Sequence, residues 1–113
     1  MSQETTHKAV LDFFEEIPKY YGCLTEITEG FVDTIEDVNA QFSTWNLSEF
    51  ELIRSAYRSN GGRFMMEGQK LYYEIAADKI VLFKQVSRHK FECVEKYSEA
   101  VYRITKIRFH YNY

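Results

Sequence analysis

The first candidates for chemistry are a histidine and a cysteine that lie close together in the second half of the chain. His89 and Cys93 are four residues apart, a spacing that would place both on one face of a helix. A metal site needs three or four protein ligands, and the neighbouring sequence supplies no further ones. We therefore expect no metal site here, and we interpret the pair as a surface histidine beside a buried cysteine.

Paired carboxylates are the second residue type that commonly performs acid and base catalysis. The chain contains Glu15-Glu16 and Glu36-Asp37, but adjacent residues on a helix diverge by about 100° and do not face one substrate. The phosphate-binding loop, the dinucleotide fingerprint, H-E-x-x-H, C-x-x-C and G-x-S-x-G are all missing from the sequence. We therefore predict a protein that is not an enzyme and that uses no cofactor.

The distribution of charge is the most unusual feature of the sequence. Residues 1–51 contain 11 of the 17 acidic residues but only two of the 14 basic ones. Their net charge is −9, that of residues 52–113 is +6, and the whole chain carries −3. No basic residue lies between Lys19 and Arg54. This dipolar arrangement favours electrostatic recognition of a partner.

The acidic half contains a spacing typical of an amphipathic helix between Leu24 and Phe42. Its apolar residues recur three or four apart, which predicts one buried face. The opposite face carries five acidic residues: Glu26, Glu29, Asp33, Glu36 and Asp37. On a helix these charges are about 4 Å apart along the axis, close to the charge spacing of about 3.4 Å in one DNA strand. The plainer alternative is a solvated face, or one neutralised by the protein's own basic half.

The acidic face predicts a non-enzymatic inhibitor that blocks or regulates a protein with a basic surface. A nuclease or another nucleic-acid-binding enzyme would present such a surface. Inhibitors encoded by phages or mobile elements, and immunity proteins against nuclease toxins, are the biological classes that fit. No basic-then-apolar leader or long apolar run occurs in the chain. We therefore expect a cytoplasmic protein in which both cysteines are reduced.

The basic half supports an alternative function, direct binding of nucleic acid. Four cations are interleaved there with aromatic residues: Arg88, Lys90, Lys106 and Arg108. A sheet with this composition can hold phosphates and stack bases. However, the sequence has no aromatic-rich RNA-recognition motif, and alternating cations on a strand also protect a sheet edge. This function is therefore our second choice.

The elements that must position these residues change in character near the middle of the chain. Apolar residues at helical spacing predict a first helix that Pro18 ends at about Ile17. Leu24 to Phe42 is the predicted second helix. Ser48 and Glu51 match a capping box and predict a third helix, which stops at residues 60–62.

Short β-rich runs follow at residues 63–67, 70–75 and 79–86, and residues 91–94 are a candidate fourth strand. Residues 107–113 alternate strictly between apolar and polar side chains, as in a strand with one buried face. Residues 95–104 fit either a helical turn or the start of a long final strand. We predict a single α+β domain over residues 1–113, with two or three N-terminal helices packed on a C-terminal antiparallel sheet of three to five strands. A small cone-like fold with a pocket is the minor alternative.

Overall fold

The structure is a computed structural model that describes residues 3–32, 45–58 and 62–111. Within these ranges it contains one α-helix, α1 (Gln3–Glu16), two short 3-10 helices and eight strands. The strands are β1 (Leu24–Val32), β2 (Trp45–Glu51), β3 (Arg54–Arg58), β4 (Arg63–Glu67), β5 (Tyr72–Ala76), β6 (Ile80–Ser87), β7 (Lys90–Ser98) and β8 (Val101–His110). They form a five-stranded antiparallel sheet in the order β2-β1-β8-β7-β6 and a three-stranded antiparallel sheet in the order β3-β4-β5.

The predicted first helix is confirmed, and it ends at the proline. α1 stops at Glu16, and a 3-10 helix over Ile17–Tyr20 follows with Pro18 in its first turn. Proline has no N–H to donate, so it interrupts a helix that has begun but fits the first turn of a new one. Among the described residues, no helix has both the length and the apolar character needed to cross a membrane.

The predicted second and third helices are wrong, and so is the fold class of two or three helices on one sheet. The part of the chain that the structure describes is mostly β, with one short N-terminal helix and eight strands in two sheets. Leu24–Val32 forms β1, an interior strand of the larger sheet, and residues 33–42 of the predicted helix lie outside the described residues. The supposed capping box of Ser48 and Glu51 lies within β2.

Leu24–Val32, which was predicted to be helical, also shows the alternation of buried residues that is typical of a strand. Thr25 and Ile27 alternate along β1, and both are buried against the core. Their β-branched side chains lose rotamer freedom in a helix but pack well on a pleated surface. Gly30 lowers helix propensity further. Pairing with β2 on one side and β8 on the other then decides the conformation of this segment.

Leu52 and Ile53 carry the chain from one sheet to the other between β2 and β3. The Leu52 N–H donates to the carbonyl of Cys23 (3.0 Å), and the Leu52 carbonyl accepts from the N–H of Gly22 (2.7 Å). The next residue, Ile53, donates its N–H to the carbonyl of Glu67 at the end of β4 (2.8 Å). Because Leu52 is fully buried, this crossing forms part of the core.

The strands predicted in the second half are confirmed, with shifts of one or two residues at β5 and β6. β4 covers the predicted residues 63–67, and the ambiguous stretch 95–104 belongs to two strands. β7 continues to Ser98 and β8 begins at Val101, so the long final strand is the correct alternative. The predicted alternation holds along β8, where Ile107 and Phe109 are buried and the intervening side chains face the other way.

The main core lies between the two sheets, and α1 contributes two aromatic rings to it. The Phe13 ring lies 5.1 Å from that of Phe83 and 4.6 Å from that of Phe91, both on the larger sheet. The Phe14 ring stacks on Phe64 of the smaller sheet at 4.3 Å. One helix therefore packs against both sheets. We call the side of the larger sheet that faces away from this core the outer face.

Candidate functional site

Two of the five acidic residues predicted to share a helix face, Glu26 and Glu29, are described by the structure, and they do not lie on a helix. Glu26 and Glu29 lie three residues apart in β1, so their side chains point to opposite faces of the sheet. Asp33, Glu36 and Asp37 lie outside the described residues. The predicted acidic helix, and the charge spacing calculated from it, are therefore wrong for the part of the segment that the structure describes.

Both acids in β1 are paired with groups from the basic half of the chain. On the outer face, the Glu26 carboxylate contacts Nε2 of His110. On the core side, Glu29 lies 3.4 Å from Nη1 of Arg103 and accepts a hydrogen bond from the Tyr73 hydroxyl at 3.2 Å. For these two residues, the plainer alternative of neutralisation by the basic half agrees with the structure.

A buried ion pair at the junction of the two sheets is the largest feature that the sequence analysis missed. Glu95 in β7 is 0% exposed, and its carboxylate accepts hydrogen bonds from Nε of Arg103 (2.7 Å) and from the Tyr97 hydroxyl (2.6 Å). The available signal was a glutamate two residues after Cys93 and four after Phe91, in line with apolar inward positions of the strand. Since residues 95–104 were ambiguous, that position was not recognisable.

Glu95 and Arg103 also form hydrogen bonds with the backbone of β5, an edge strand of the smaller sheet. The Ala76 N–H donates to Glu95 (2.9 Å), and Nη2 of Arg103 donates to the carbonyl of Glu74 (2.7 Å). These side chains therefore bond two backbone groups that a neighbouring strand would otherwise pair. They connect β5 of the smaller sheet to β7 and β8 of the larger sheet. We assign this cluster a structural role.

The ionisation states in the cluster suit that role. Burial, followed by the hydrogen bond and charge of Glu95, raises the pKa of Tyr97 to about 12. Burial raises the pKa of Tyr73 further above its ordinary range. Burial alone would lower the pKa of Arg103, but its hydrogen bond to Glu95 and the charges of Tyr73, Glu95 and Tyr97 together outweigh burial and raise this pKa. Both phenols therefore remain neutral donors beside an ion pair at physiological pH.

His89 and Cys93 do not form a common site. His89 is half-buried in the turn between β6 and β7, and its Nδ1 contacts the Tyr20 hydroxyl at 2.9 Å. Cys93 is buried in β7, and burial raises its thiol pKa. Cys93 and Cys23 are both free thiols. A group of three or more His, Cys, Asp or Glu side chains able to hold a metal is not found in the described ranges.

The four cations predicted for nucleic-acid binding come together at one corner of the outer face. We define the basic corner as Arg88, Lys90, Lys106 and Arg108. Arg88 lies in the β6–β7 turn, Lys90 begins β7, and the other two are in β8. Lys90 pairs directly with Arg108 across the two strands, a position in which side chains are about 5 Å apart at Cβ.

Two adjoining depressions at this corner share Lys90 and Arg108. The turn depression, of about 330 Å³, is also lined by Arg88, His89 and His110, and no acid is among its described lining residues. The sheet depression, of about 340 Å³, is lined by cations, by the carboxylates of Glu26 and Glu92, and by a group of apolar residues. Of these apolar residues, Val86 is exposed, whereas Ile107 is buried and the ring of Phe91 packs against Phe13 on the core side.

The turn that carries Arg88 is held in place by polar contacts with the body of the protein. Nε2 of Gln85 donates to the Arg88 carbonyl (2.9 Å), and the Phe109 N–H donates to the His89 carbonyl (3.0 Å). Partial burial, then the positive charges of Arg88 and Lys19, lower the pKa of His89. These contacts fix the turn, and Arg88 lines the turn depression together with Lys90 and Arg108.

This arrangement can hold an anion. Arginine and lysine supply hydrogen-bond donors and positive charge to phosphate. Comparisons of the chain with models of protein families, with curated protein sequences and with solved structures find no match. The function must therefore be inferred from the residues of this chain.

Proposed function

We propose that this protein binds nucleic acid through the basic corner. The observation that carries the proposal is the convergence of four cations, from a turn and two strands, on two adjoining depressions. These residues are distant in sequence but adjacent on one face of the sheet. Phosphate contacts supply most of the affinity in sequence-independent nucleic-acid binding, and a concave cationic surface attracts a polyanion more strongly than isolated surface charges do.

The proposal is one of binding rather than catalysis. The four residues of the corner are donors with no acceptor atom, so they can hold a phosphate but cannot take a proton from a reacting group. Lys90 and Arg108 line both depressions, and they are therefore the central cations of the corner.

Binding to a protein with a basic surface is the second candidate function, as for an inhibitor of a nuclease or an immunity protein. A specific observation favours it, although not the predicted helix. Glu49 and Glu51 are exposed on β2, which lies at the edge of the larger sheet, and Glu49 pairs with Glu26 across the strands. The outer face is therefore acidic at this edge and basic at the opposite corner.

Neutralising the basic corner tests the proposal. We expect the quadruple variant Arg88→Gln, Lys90→Gln, Lys106→Gln, Arg108→Gln to bind a fluorescent 20-nucleotide single strand at least about ten-fold more weakly than the unaltered protein at 50 mM NaCl. Fluorescence anisotropy measures this change, and circular dichroism checks that the variant is folded.

The matched control changes the same number of charges at exposed positions outside the corner: Lys8, Arg58, Lys70 and Lys79, each replaced by glutamine. This variant should bind within a few-fold of the unaltered protein. If the unaltered protein binds neither DNA nor RNA at 50 mM NaCl, or if both variants lose affinity equally, the basic corner is not a nucleic-acid site.

A further inference from the structure

The turn depression is the more positive of the two depressions at the basic corner. Three cations line it, Arg88, Lys90 and Arg108, and no acid is among its described lining residues. The sheet depression also has three cations, but Glu26 and Glu92 line it as well. With the histidines neutral, the described lining residues carry a net charge of +3 in the turn depression and +1 in the sheet depression. An anion in the turn depression therefore meets the larger excess of positive charge.

Two of these cations lie directly opposite each other without a counter-charge. Lys90 pairs with Arg108 across β7 and β8, and like charges in this position destabilise a sheet. Both residues are exposed, and neither forms an ion pair in the part of the chain that the structure describes. Glu26 lies across from Arg108 on its other side, but the Glu26 carboxylate contacts His110. A bound anion would relieve the repulsion between Lys90 and Arg108.

A terminal phosphate uses this set of donors better than an internal phosphate does. An arginine has five N–H donors and a lysine has three. A phosphodiester within a strand carries one negative charge and two unesterified oxygens, whereas a terminal phosphate monoester carries about two charges at pH 7.5 and three such oxygens. Because both the charge and the number of acceptors increase, the same cations bind a terminal phosphate more strongly.

We infer that the turn depression binds the terminal phosphate monoester of a nucleic-acid strand, with Arg88, Lys90 and Arg108 as its ligands. Lys106 lines the sheet depression only, and it contacts the phosphates that follow in the strand. This inference rests on the proposed nucleic-acid function and adds a preference for the end of a strand. A 5′-phosphate and a 3′-phosphate share this chemistry, and the experiment distinguishes them.

The test compares strands that have equal charge in different positions. The competitors are unlabelled (dT)15 with a 5′-phosphate, (dT)15 with a 3′-phosphate, and (dT)17 with hydroxyl ends, whose two additional phosphodiesters match the charge of one terminal phosphate. They displace a fluorescent (dT)15 probe, and anisotropy at pH 7.5 and 50 mM NaCl gives their affinities. We expect at least one phosphorylated strand to bind about five-fold more tightly than (dT)17, the effect of one additional charge held about 4 Å from a cation in water.

Two variants that each lose one positive charge separate the two depressions. Of the two depressions, Arg88 lines only the turn depression and Lys106 only the sheet depression. In Arg88→Gln the preference for a terminal phosphate should fall to within about two-fold, because one of its charged donors is lost. Lys106→Gln, the matched control, should bind every strand more weakly and keep the preference. Circular dichroism checks that both variants are folded.

The outcomes separate the inference from the proposed function. Equal affinities of (dT)17 and both phosphorylated strands would overturn the inference, because only the total charge would matter, and would leave nucleic-acid binding intact. A preference that persists in folded Arg88→Gln, or that Lys106→Gln loses to the same extent, would also overturn it, because the turn depression would not hold the terminal phosphate. Failure of the fluorescent (dT)15 probe and of every competitor to bind would remove the proposed function itself.

Discussion

The side chain of Arg103 contacts four groups from three strands besides its own. Its guanidinium bonds the buried Glu95, the carbonyl of Glu74 and the carboxylate of Glu29, and it lies 5.1 Å from the centre of the Tyr73 ring. Removing it would leave Glu95 as a buried and unpaired charge. Breaking one side of a buried ion pair is far more costly than the pair is favourable, because the remaining charge stays desolvated.

We therefore expect Arg103→Ala to lower the free energy of unfolding by about 3–5 kcal/mol. Urea unfolding followed by tryptophan fluorescence measures this change. Arg54→Ala is the matched control, because Arg54 also pairs with a glutamate but is exposed, and exposed pairs contribute little. Equal effects of the two substitutions would mean that the Glu95–Arg103 pair does not join the sheets.

The pKa of Tyr97 predicts a loss of stability in alkali. Its pKa is about 12 in the folded protein, against about 10 for an ordinary tyrosine. Between pH 10 and pH 12 the unfolded chain loses this proton while the folded protein keeps it, so the free energy of unfolding falls as pH rises. Below pH 10 both states are protonated, and this group adds no pH dependence.

Tyr97→Phe should reduce that alkaline decline in urea unfolding at pH 9, 10 and 11. The decline should not vanish, since the pKa of Tyr73 is raised in the same cluster. Tyr72→Phe, at an exposed position on the neighbouring β5, should leave the decline unchanged. If the free energy of unfolding of Tyr97→Phe falls as steeply between pH 9 and pH 11 as that of the unaltered protein, the Tyr97–Glu95 hydrogen bond does not govern alkaline stability.

At the scale of elements, α1 contributes more to packing than its length suggests, because it packs against both sheets. Phe13 makes ring contacts with residues of three different strands: Phe83 in β6, Phe91 in β7 and Phe109 in β8. Short helices are marginal on their own. The helix is therefore held by its aromatic contacts with the sheets more than by its own propensity.

Phe13→Ala should lower the free energy of unfolding by about 3–5 kcal/mol, the usual cost of removing a large aromatic side chain from a core. Chemical denaturation measures the change. Leu11→Ala, also in α1 but at an exposed position, should cost much less. Similar losses in the two variants would show that α1 is not docked between the sheets through Phe13.

At the scale of the whole molecule, the opposite charges of the two halves are partly neutralised by strand pairing. β1 carries the described acids of residues 24–32, and it lies beside β8, which carries Arg103, Lys106 and Arg108. The antiparallel register therefore places the two charged halves of the chain next to each other. Two residues of the basic corner, Arg88 and Lys90, lie outside this strand pair, whereas Arg108 lies directly across from Glu26.

The number of phosphates held at the corner sets the salt dependence of nucleic-acid binding. Four contacts to a single strand predict a slope of about −3 in a plot of log K against log [NaCl], or about 50-fold weaker binding at 200 mM than at 50 mM. Arg108→Gln alone should make the slope shallower by about 0.7. Anisotropy titrations at several salt concentrations measure both slopes, and a slope near zero would contradict phosphate binding.

The sequence by itself determined the elements with strong local signals. Pro18 ended the first helix because a proline ring and its missing N–H act within a few residues. The β4–β8 strands followed from short apolar and aromatic runs separated by turn residues. The four cations of the basic corner were identifiable for a similar reason, since charged residues that alternate along a strand lie on one face.

The tertiary structure decided the conformation of β1 and the environment of Glu95. Leu24–Val32 satisfies both a helical and a strand spacing, and pairing with β2 and β8 selects the strand. Such pairing joins residues far apart in the chain, so no local pattern contains it. The ion pair of Glu95 and Arg103 also depends on the edge of β5, whose backbone groups it bonds. Spacing along the chain can place a residue on a face, but only the packed sheets determine what that face meets.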